Sequence, residues 1–162
     1  MDSNNQRAAN ALSICVIGLG GGGYHAEAER ILSAVNRPLN LILIFAGPDG
    51  GILKWSGKQR IVSSYKVRSP MLIGDSYLRG FFGMINNFYQ ALKILSIHQP
   101  DLILGVGSIQ SLPFFIAGKL LRVRSFYVES ITRISSLSTT GKAISRIGLA
   151  DEIYTAQSWN TQ

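Results

Sequence analysis

Three short segments hold the residue types and spacings that suit chemistry. The first, Gly18–His25, reads G-L-G-G-G-G-Y-H between an apolar run and a helical pattern. Glycines such as Gly20, Gly21, Gly22 and Gly23 let backbone approach a phosphate. The helix start beyond them offers unpaired N–H groups and the positive end of a dipole. His25 falls in the first helical turn, where a helix N-terminus disfavours imidazolium and leaves a neutral ring able to accept a proton. Glu27, in the same turn, pulls the other way. A sharp turn that needs small residues, with an exposed or capping histidine, accounts for the same letters without chemistry. A dinucleotide-binding G-x-G-x-x-G pattern is also met at Gly18, Gly20 and Gly23. The next strand, however, ends in Ala46-Gly47 without the acidic residue a dinucleotide ribose needs, and Asp49 comes too late.

The second segment, Gly105–Pro113, reads G-V-G-S-I-Q-S-L-P and repeats the logic. Gly105 and Gly107 free the backbone, Ser108 and Ser111 offer hydroxyls, and a helix start follows. Two such loops on one sheet edge suit a diphosphate or a sugar held between them. The third segment, Tyr127–Lys142, is the most distinctive. Glu129 stands at a strand end, where a carboxylate holds a sugar hydroxyl or pairs with Arg133. Ser130, Arg133 and Lys142 are suited to phosphate. Helix capping by the serines and a structural Glu129–Arg133 pair are the non-functional readings of this stretch.

The elements that must position these segments alternate. Strands are expected at Ser13–Gly18, Leu39–Phe45, Arg60–Tyr65, Leu102–Val106, Ser125–Val128 and Glu152–Thr155. Helices are expected at His25–Val35, from an Asp75-Ser76 cap through Ile97, at Pro113–Leu121 with the proline in its first turn, and around Lys142–Ile147. Alternation of this kind argues for an α/β fold with a doubly wound, mostly parallel sheet and helices on both faces. Ligands then sit at the carboxyl ends of the strands, which is where all three segments fall. A polar tail over residues 1–12 and one domain over 13–162 are the expected organisation.

Bulk properties narrow the function. With 46% hydrophobic and 15% charged residues the chain is globular rather than disordered. A net charge of +7 favours anionic partners, whether phosphates or an anionic membrane surface. No nucleic-acid motif or aromatic platform accompanies it. One cysteine, Cys15, sits inside an apolar run and reads as a buried strand residue, so no disulfide forms within the chain and a reducing compartment is the default. Two histidines and one cysteine do not make a usual zinc site, and no metal is expected. The longest apolar candidate for a membrane span, Ile103–Leu121, is interrupted by Gly105, Gly107, Gln110, Pro113 and Lys119.

Taken together, the segments resemble the acceptor-side, membrane-anchoring subunits of two-component glycosyltransferases. The likeness rests on the glycine loop and helix with His25, Glu27 and Arg30, and on R-I-V-S-S-Y at Arg60–Tyr65. It continues in P-D-L-I-L-G-V-G at Pro100–Gly107, V-E-S-I-T-R-I-S-S-L-S-T-T-G-K at Val128–Lys142, and A-D-E-I-Y-T-A-Q-S-W at Ala150–Trp159. One member of that family anchors the enzyme that adds the second N-acetylglucosamine to dolichyl-diphosphate-GlcNAc in asparagine-linked glycosylation. Bacterial relatives help build capsules and exopolysaccharides. More distantly, the pattern is similar to the N-terminal half of the enzyme that glycosylates the lipid-linked peptidoglycan precursor.

The resemblance implies a Rossmann-like domain equivalent to the N-terminal half of a GT-B glycosyltransferase. It implies inverting transfer of N-acetylglucosamine or another hexose from a UDP-sugar to a polyprenyl-diphosphate-linked sugar, with no cofactor. A separate catalytic chain would bring the UDP-sugar site, so this chain alone is expected to be inactive. The acceptor diphosphate would lie on the glycine loops, and His25 or Glu129 would be the general base on this side. In the family's loop the histidine stands three residues before the glutamate, so either Tyr24 or His25 takes that position here. A non-catalytic scaffold for the partner chain and a dinucleotide-dependent oxidoreductase are the alternatives.

A family member of this kind works at the cytoplasmic face of a membrane, here as a peripheral protein. The helix ending at Ile97 carries Tyr77, Phe81, Phe82, Phe88 and Tyr89. Most of that broad stripe is expected to face the sheet. Phe81 and Phe82 point about 100° apart, so one of them is expected to enter lipid or touch the partner, with Arg79 beside it. Further basic residues cluster from Lys54 to Arg68 and from Lys119 to Arg146.

Overall fold

Apolar runs punctuated by glycine become the central strands, and the amphipathic stretches between them become the helices that cover those strands. The computed structural model describes residues 11–20, 23–46, 55, 59–69, 77–133 and 136–155. In chain order these form β1 (Leu12–Ile17), α1 (Tyr24–Ser33), β2 (Leu39–Ala46), β3 (Arg60–Val67), α2 (Tyr77–His98), β4 (Leu102–Val106), α3 (Ser111–Leu121), β5 (Arg124–Val128), α4 (Thr139–Ile147) and β6 (Glu152–Tyr154). The strands make one sheet in the order β3-β2-β1-β4-β5-β6. Every pairing is parallel. The doubly wound α/β class expected from the alternation is the one found.

Because successive strand side chains point to opposite faces, the sheet has two cores. Cys15, Ile17, Ile42, Ile44 and Ile103 face one way, against Ala91, Ile94 and Leu95 of α2, Phe114, Phe115 and Ala117 of α3, and Ile144 of α4. Ile14, Val16, Leu41, Leu43, Leu104, Val106 and Val128 face the other way, against Ala28 and Leu32 of α1. Among the described residues, three helices therefore cover one face and one covers the other. At α3 the fit is close: a Cβ on Gly118 would stand 2.4 Å from Ile103 Cδ1.

Strand starts are pinned by aspartates. The Asp101 carboxylate accepts the Ser13 N–H at 2.8 Å, and the Asp101 N–H donates to the Ser13 carbonyl at 2.9 Å. Asp151 repeats the device between β5 and β6, accepting the Ser125 N–H at 2.7 Å and donating its own N–H to the Ser125 carbonyl at 2.8 Å. The resembling fragments P-D-L and A-D-E thus act here as staples between neighbouring parallel strands.

Three expectations change. Helix α3 begins at Ser111, two residues before Pro113. First-turn N–H groups have no acceptor within the helix, so the proline is tolerated anywhere in that turn. Helix α4 begins at Thr139, because Ser138 caps it with its side chain. Most of the α2 stripe does not face the sheet: Leu78, Phe81, Phe82 and Tyr89 are 72, 62, 66 and 65% exposed. The seated face is Asn87, Ala91, Ile94 and Leu95. Rotation explains this: Leu78, Phe81, Phe82, Ile85 and Tyr89 recur at helical spacing on the side opposite the buried Gly80, Asn87, Ala91 and Ile94. The helix leads directly into β4, so its N-terminal half lies towards the carboxyl edge of the parallel sheet. The Asp75-Ser76 cap lies outside the described residues.

Candidate functional site

The strand order reverses direction between β1 and β4, and the crevice beyond their carboxyl ends is the ligand position in such sheets. Two loops meet there. Gly18 has φ +104°, and a Cβ on it would stand 2.5 Å from the Val106 carbonyl oxygen. Gly107, with φ +55°, donates its N–H to the Val128 carbonyl at 2.9 Å. A Cβ on Gly107 would stand 2.5 Å from Tyr24 Cε1, so the Tyr24 ring lies directly on the second loop. Left-handed φ and close approach both exclude a side chain at these two positions.

Around this crevice the expected residues take different places. Gly20 is exposed and donates its N–H back to the Gly18 carbonyl at 2.9 Å. Gly23 is the residue before α1, and its carbonyl accepts the Glu27 N–H at 3.1 Å. Gly21 and Gly22 lie outside the described residues. Gly105 is inside β4 rather than in the loop, where a Cβ would meet Ser111 Oγ at 2.6 Å and Phe115 Cζ at 2.8 Å. Ser108 accepts the Gln110 N–H on its hydroxyl at 3.3 Å. Beside it, at the start of α3, Gln110 Oε1 and Ser111 Oγ are buried without a hydrogen-bond partner.

Glu129 is 2% exposed. Its Oε2 accepts the Ser138 N–H at 2.7 Å and its Oε1 the Ser130 N–H at 3.2 Å. Ser138 in turn caps α4, accepting the Gly141 N–H at 3.0 Å, and its hydroxyl meets the Tyr127 hydroxyl at 3.3 Å. The carboxylate therefore sits at the positive end of α4, which answers its charge. The Arg133 pairing is corrected: this guanidinium is exposed and forms no ion pair with Glu129. A backbone donor 2.7 Å away and a helix terminus already satisfy the carboxylate. Lys142 is likewise exposed, on the second turn of α4. Burial pushes the Tyr127 phenol up to about 12, with the bond to Ser138 acting in the opposite direction.

Two flanks of α1 carry two different environments. His25 is seated edge-on to Trp55, with ring centroids 5.5 Å apart, and its Nε2 lies 3.4 Å from Glu29 Oε1. Its Nδ1 is buried and has no hydrogen-bond partner. Glu27, two residues on, faces the β5 loop. Its Oε1 accepts the Ser130 hydroxyl at 2.9 Å, across 103 positions of sequence. The Ser130 hydroxyl proton is thus directed at Glu27, and the same oxygen lies 3.0 Å from Thr132 Oγ1. Glu27 and Glu129 together line a cleft of about 460 Å³ whose other walls are Arg30, Ile31, Ala34, Val128 and Ile131. Sequence reasoning singled out His25 and Glu129 but not Glu27 as a site residue. The available signal was that Glu27 stands four residues before Ile31 on the apolar face of an amphipathic helix, an expensive place for a carboxylate without a task.

On the outer face of α2, Phe81 and Phe82 are both solvent-exposed, not one of the pair. Their rings meet edge-to-face with centroids 6.1 Å apart. Arg79 is exposed on the same half of the helix. Among the described residues no helix is long and apolar enough to cross a membrane, and no cluster of three or more His, Cys, Asp or Glu is placed to hold a metal ion.

Comparison with known proteins gives this geometry a context. The family described as "Oligosaccharide biosynthesis protein Alg14 like" matches residues 14–160. Two curated bacterial proteins, each described as a UDP-N-acetylglucosamine–N-acetylmuramyl-(pentapeptide) pyrophosphoryl-undecaprenol N-acetylglucosamine transferase, are similar in sequence. The one from Pelobacter propionicus is 34% identical over 124 residues, covering 70% of this chain and 31% of that protein. The one from Trichlorobacter lovleyi is 32% identical over 145 residues, covering 84% and 36%. The chain thus spans about a third of the length of these relatives. In fold it is similar to Acinetobacter baumannii MurG, with a TM-score of 0.63 at 16% identity, over 90% of this chain and 41% of that one. It is also similar to the UDP-GlcNAc 2-epimerase of Neisseria meningitidis, with a TM-score of 0.60 at 13% identity, over 89% and 40%. The sheet is that of the N-terminal half of a GT-B glycosyltransferase, as the resemblance implied.

Proposed function

The chain belongs to the Alg14-like family of oligosaccharide biosynthesis proteins, and on that premise we propose that it is the acceptor-side subunit of a two-component glycosyltransferase. It binds a polyprenyl-diphosphate-linked sugar and recruits a catalytic chain that carries the UDP-sugar. The reaction is inverting transfer of N-acetylglucosamine or another hexose to that acceptor. The activities by which the two bacterial relatives are described, transfer of N-acetylglucosamine to a pyrophosphoryl-undecaprenol acceptor, are of this type.

The observation that carries the reading is the meeting of two glycine loops at the strand-order reversal, with Gly18 and Gly107 both held in left-handed conformations. The space that these loops leave and the start of α3 suit a diphosphate. The Gly20 and Gly107 N–H groups are held by the Gly18 and Val128 carbonyls, so these glycines give close approach and Ser108 is the nearest polar candidate, while exposed Arg133 and Lys142 add positive charge on the following loop and helix. The N-terminal half of α2 lies towards this same edge, so a lipid met by Phe81, Phe82 and Arg79 and a diphosphate held at the loops share one side of the molecule. The chain docks by this patch on the cytoplasmic face of a membrane.

The two candidate bases differ. Glu129 has both oxygens engaged by backbone N–H groups, which suits a residue that shapes the site. His25 has Glu29 beside its Nε2, which suits an oriented general base, and its enclosed Nδ1 has no partner within the chain. The engagement of Glu129 also favours a second reading, in which this chain is a non-catalytic membrane scaffold for its partner. A transfer assay with a panel of radiolabelled UDP-sugars and membranes carrying polyprenyl-diphosphate sugars separates the readings. Transfer only when this chain and a glycosyltransferase partner are both present supports the split enzyme. With both present, loss of transfer in His25→Ala at unchanged complex formation supports a catalytic side here, and unchanged transfer supports the scaffold. Transfer by this chain alone would sink the two-subunit reading.

A further inference from the structure

We infer that the cleft between α1 and the β5 loop is a subsite for an uncharged ring bearing hydroxyl or amide N–H donors, with Glu27 as the group that accepts its hydrogen bond. On the proposed function this ring is the sugar of the acceptor, and the inference rests on that reading for the ring's identity. Three observations lead here. Glu27 is 8% exposed and lines the cleft, yet its Oε2 is buried with no hydrogen-bond partner. A carboxylate oxygen left in that state is costly and calls for a missing donor. The terminal torsion of a glutamate is soft, so a small turn presents the oxygen to a donor entering the cleft while Oε1 keeps the Ser130 hydroxyl.

The walls then select the ligand. Ile31, Ala34, Val128 and Ile131 are apolar and suit the C–H face of a pyranose or the methyl of an acetamido group. A cleft of about 460 Å³ falls in the range of small-molecule sites. Charge excludes the other end of the acceptor. Two carboxylates, Glu27 and Glu129, face one guanidinium, Arg30, so a diphosphate is repelled from the cleft and left to the glycine loops. The same residues thus orient the acceptor: sugar under α1, diphosphate at the β1–β4 crevice.

Amide NMR of the ¹⁵N-labelled full chain tests this without any transfer activity, using the methyl glycoside of N-acetylglucosamine and, separately, inorganic diphosphate as probes. The glycoside is expected to shift the amides of Ile31, Ala34, Ser130 and Ile131, and diphosphate is expected to leave them in place. Glu27→Gln is expected to weaken glycoside binding about tenfold without changing the response to diphosphate. Ala34→Phe, at an exposed position that leaves Glu27 and its bond to Ser130 intact, is expected to abolish the glycoside shifts, and it decides the matter if Glu27→Gln does not fold. No glycoside binding, glycoside shifts confined to other residues, unchanged binding in Ala34→Phe, or diphosphate shifts in the cleft would each overturn the inference. Failure of the proposed function looks different: the glycoside occupies the cleft, but no UDP-sugar is transferred with any partner.

Discussion

A carboxylate buried as deeply as Glu129 needs its charge answered, and the first turn of α4 answers it. Gly141 makes the approach possible, because a Cβ there would stand 2.6 Å from Glu129 Oε2 and 3.2 Å from the Tyr127 ring. Alanine in a helix is favoured over glycine by up to about 1 kcal/mol. Gly141→Ala is nevertheless expected to destabilise the chain by about 1–3 kcal/mol, read as a fall in the urea midpoint. Tyr127 gives a pH signature to the same cluster. Its phenol is raised to about 12, so the fold favours the neutral form. The stability this contributes is fully present below the unfolded value of about 10 and is lost as pH rises from there through about 12. Tyr127→Phe should therefore flatten the alkaline fall in stability measured from about pH 9.5 upward. Position in the sequence showed Glu129 at a strand end, but not that Ser138 and Gly141 would come back to it. That contact depends on how far the intervening loop returns, which no local pattern encodes. Glu27 was hidden for a related reason: its partner Ser130 lies 103 residues away.

Elements were more legible than contacts. Strands and helices could be placed from apolar runs and helical spacing because each pattern is local, and the errors lie at helix starts, where a side-chain cap or a tolerated proline decides. The seating of α2 departs from the expectation because its apolar residues run round more than one face, so spacing does not say which side meets the sheet. The apolar outer face that results makes a prediction at this scale. Replacing Phe81 and Phe82 with serine is expected to leave the thermal midpoint within about 2 °C of the parent, since surface changes alter stability by roughly 0.5 kcal/mol or less. The same double variant is expected to lose at least about tenfold in binding to anionic vesicles, from the burial each ring would have gained in lipid. Co-sedimentation with and without added salt checks it. The strand staples carry a second prediction. Asp151→Ala leaves the Ser125 N–H without its acceptor and is expected to cost about 1–2 kcal/mol, measurable by denaturant titration.

At the scale of the whole molecule, the parallel sheet and its strand order are what bring three distant segments to one edge. Strand alternation in the sequence implied the class of sheet and the edge where ligands sit. It did not distribute the helices, three on one face and one on the other among the described residues, nor create the cleft that the lone helix leaves beside β5. The centre of that sheet has one further consequence. Cys15, fully buried in β1, pairs with Ile42 on one side and Ile103 on the other. Burial raises its thiol far above the ordinary range, so it is unreactive in the native state. A lone thiol at that position is a built-in clock for opening of the chain: its alkylation rate should rise with denaturant in step with global unfolding. Any compound that binds the folded form should slow the clock by the factor one plus its concentration over its Kd. The chain therefore carries its own reporter, with which libraries of lipid-free acceptor fragments can be ranked before a donor sugar or a partner is in hand.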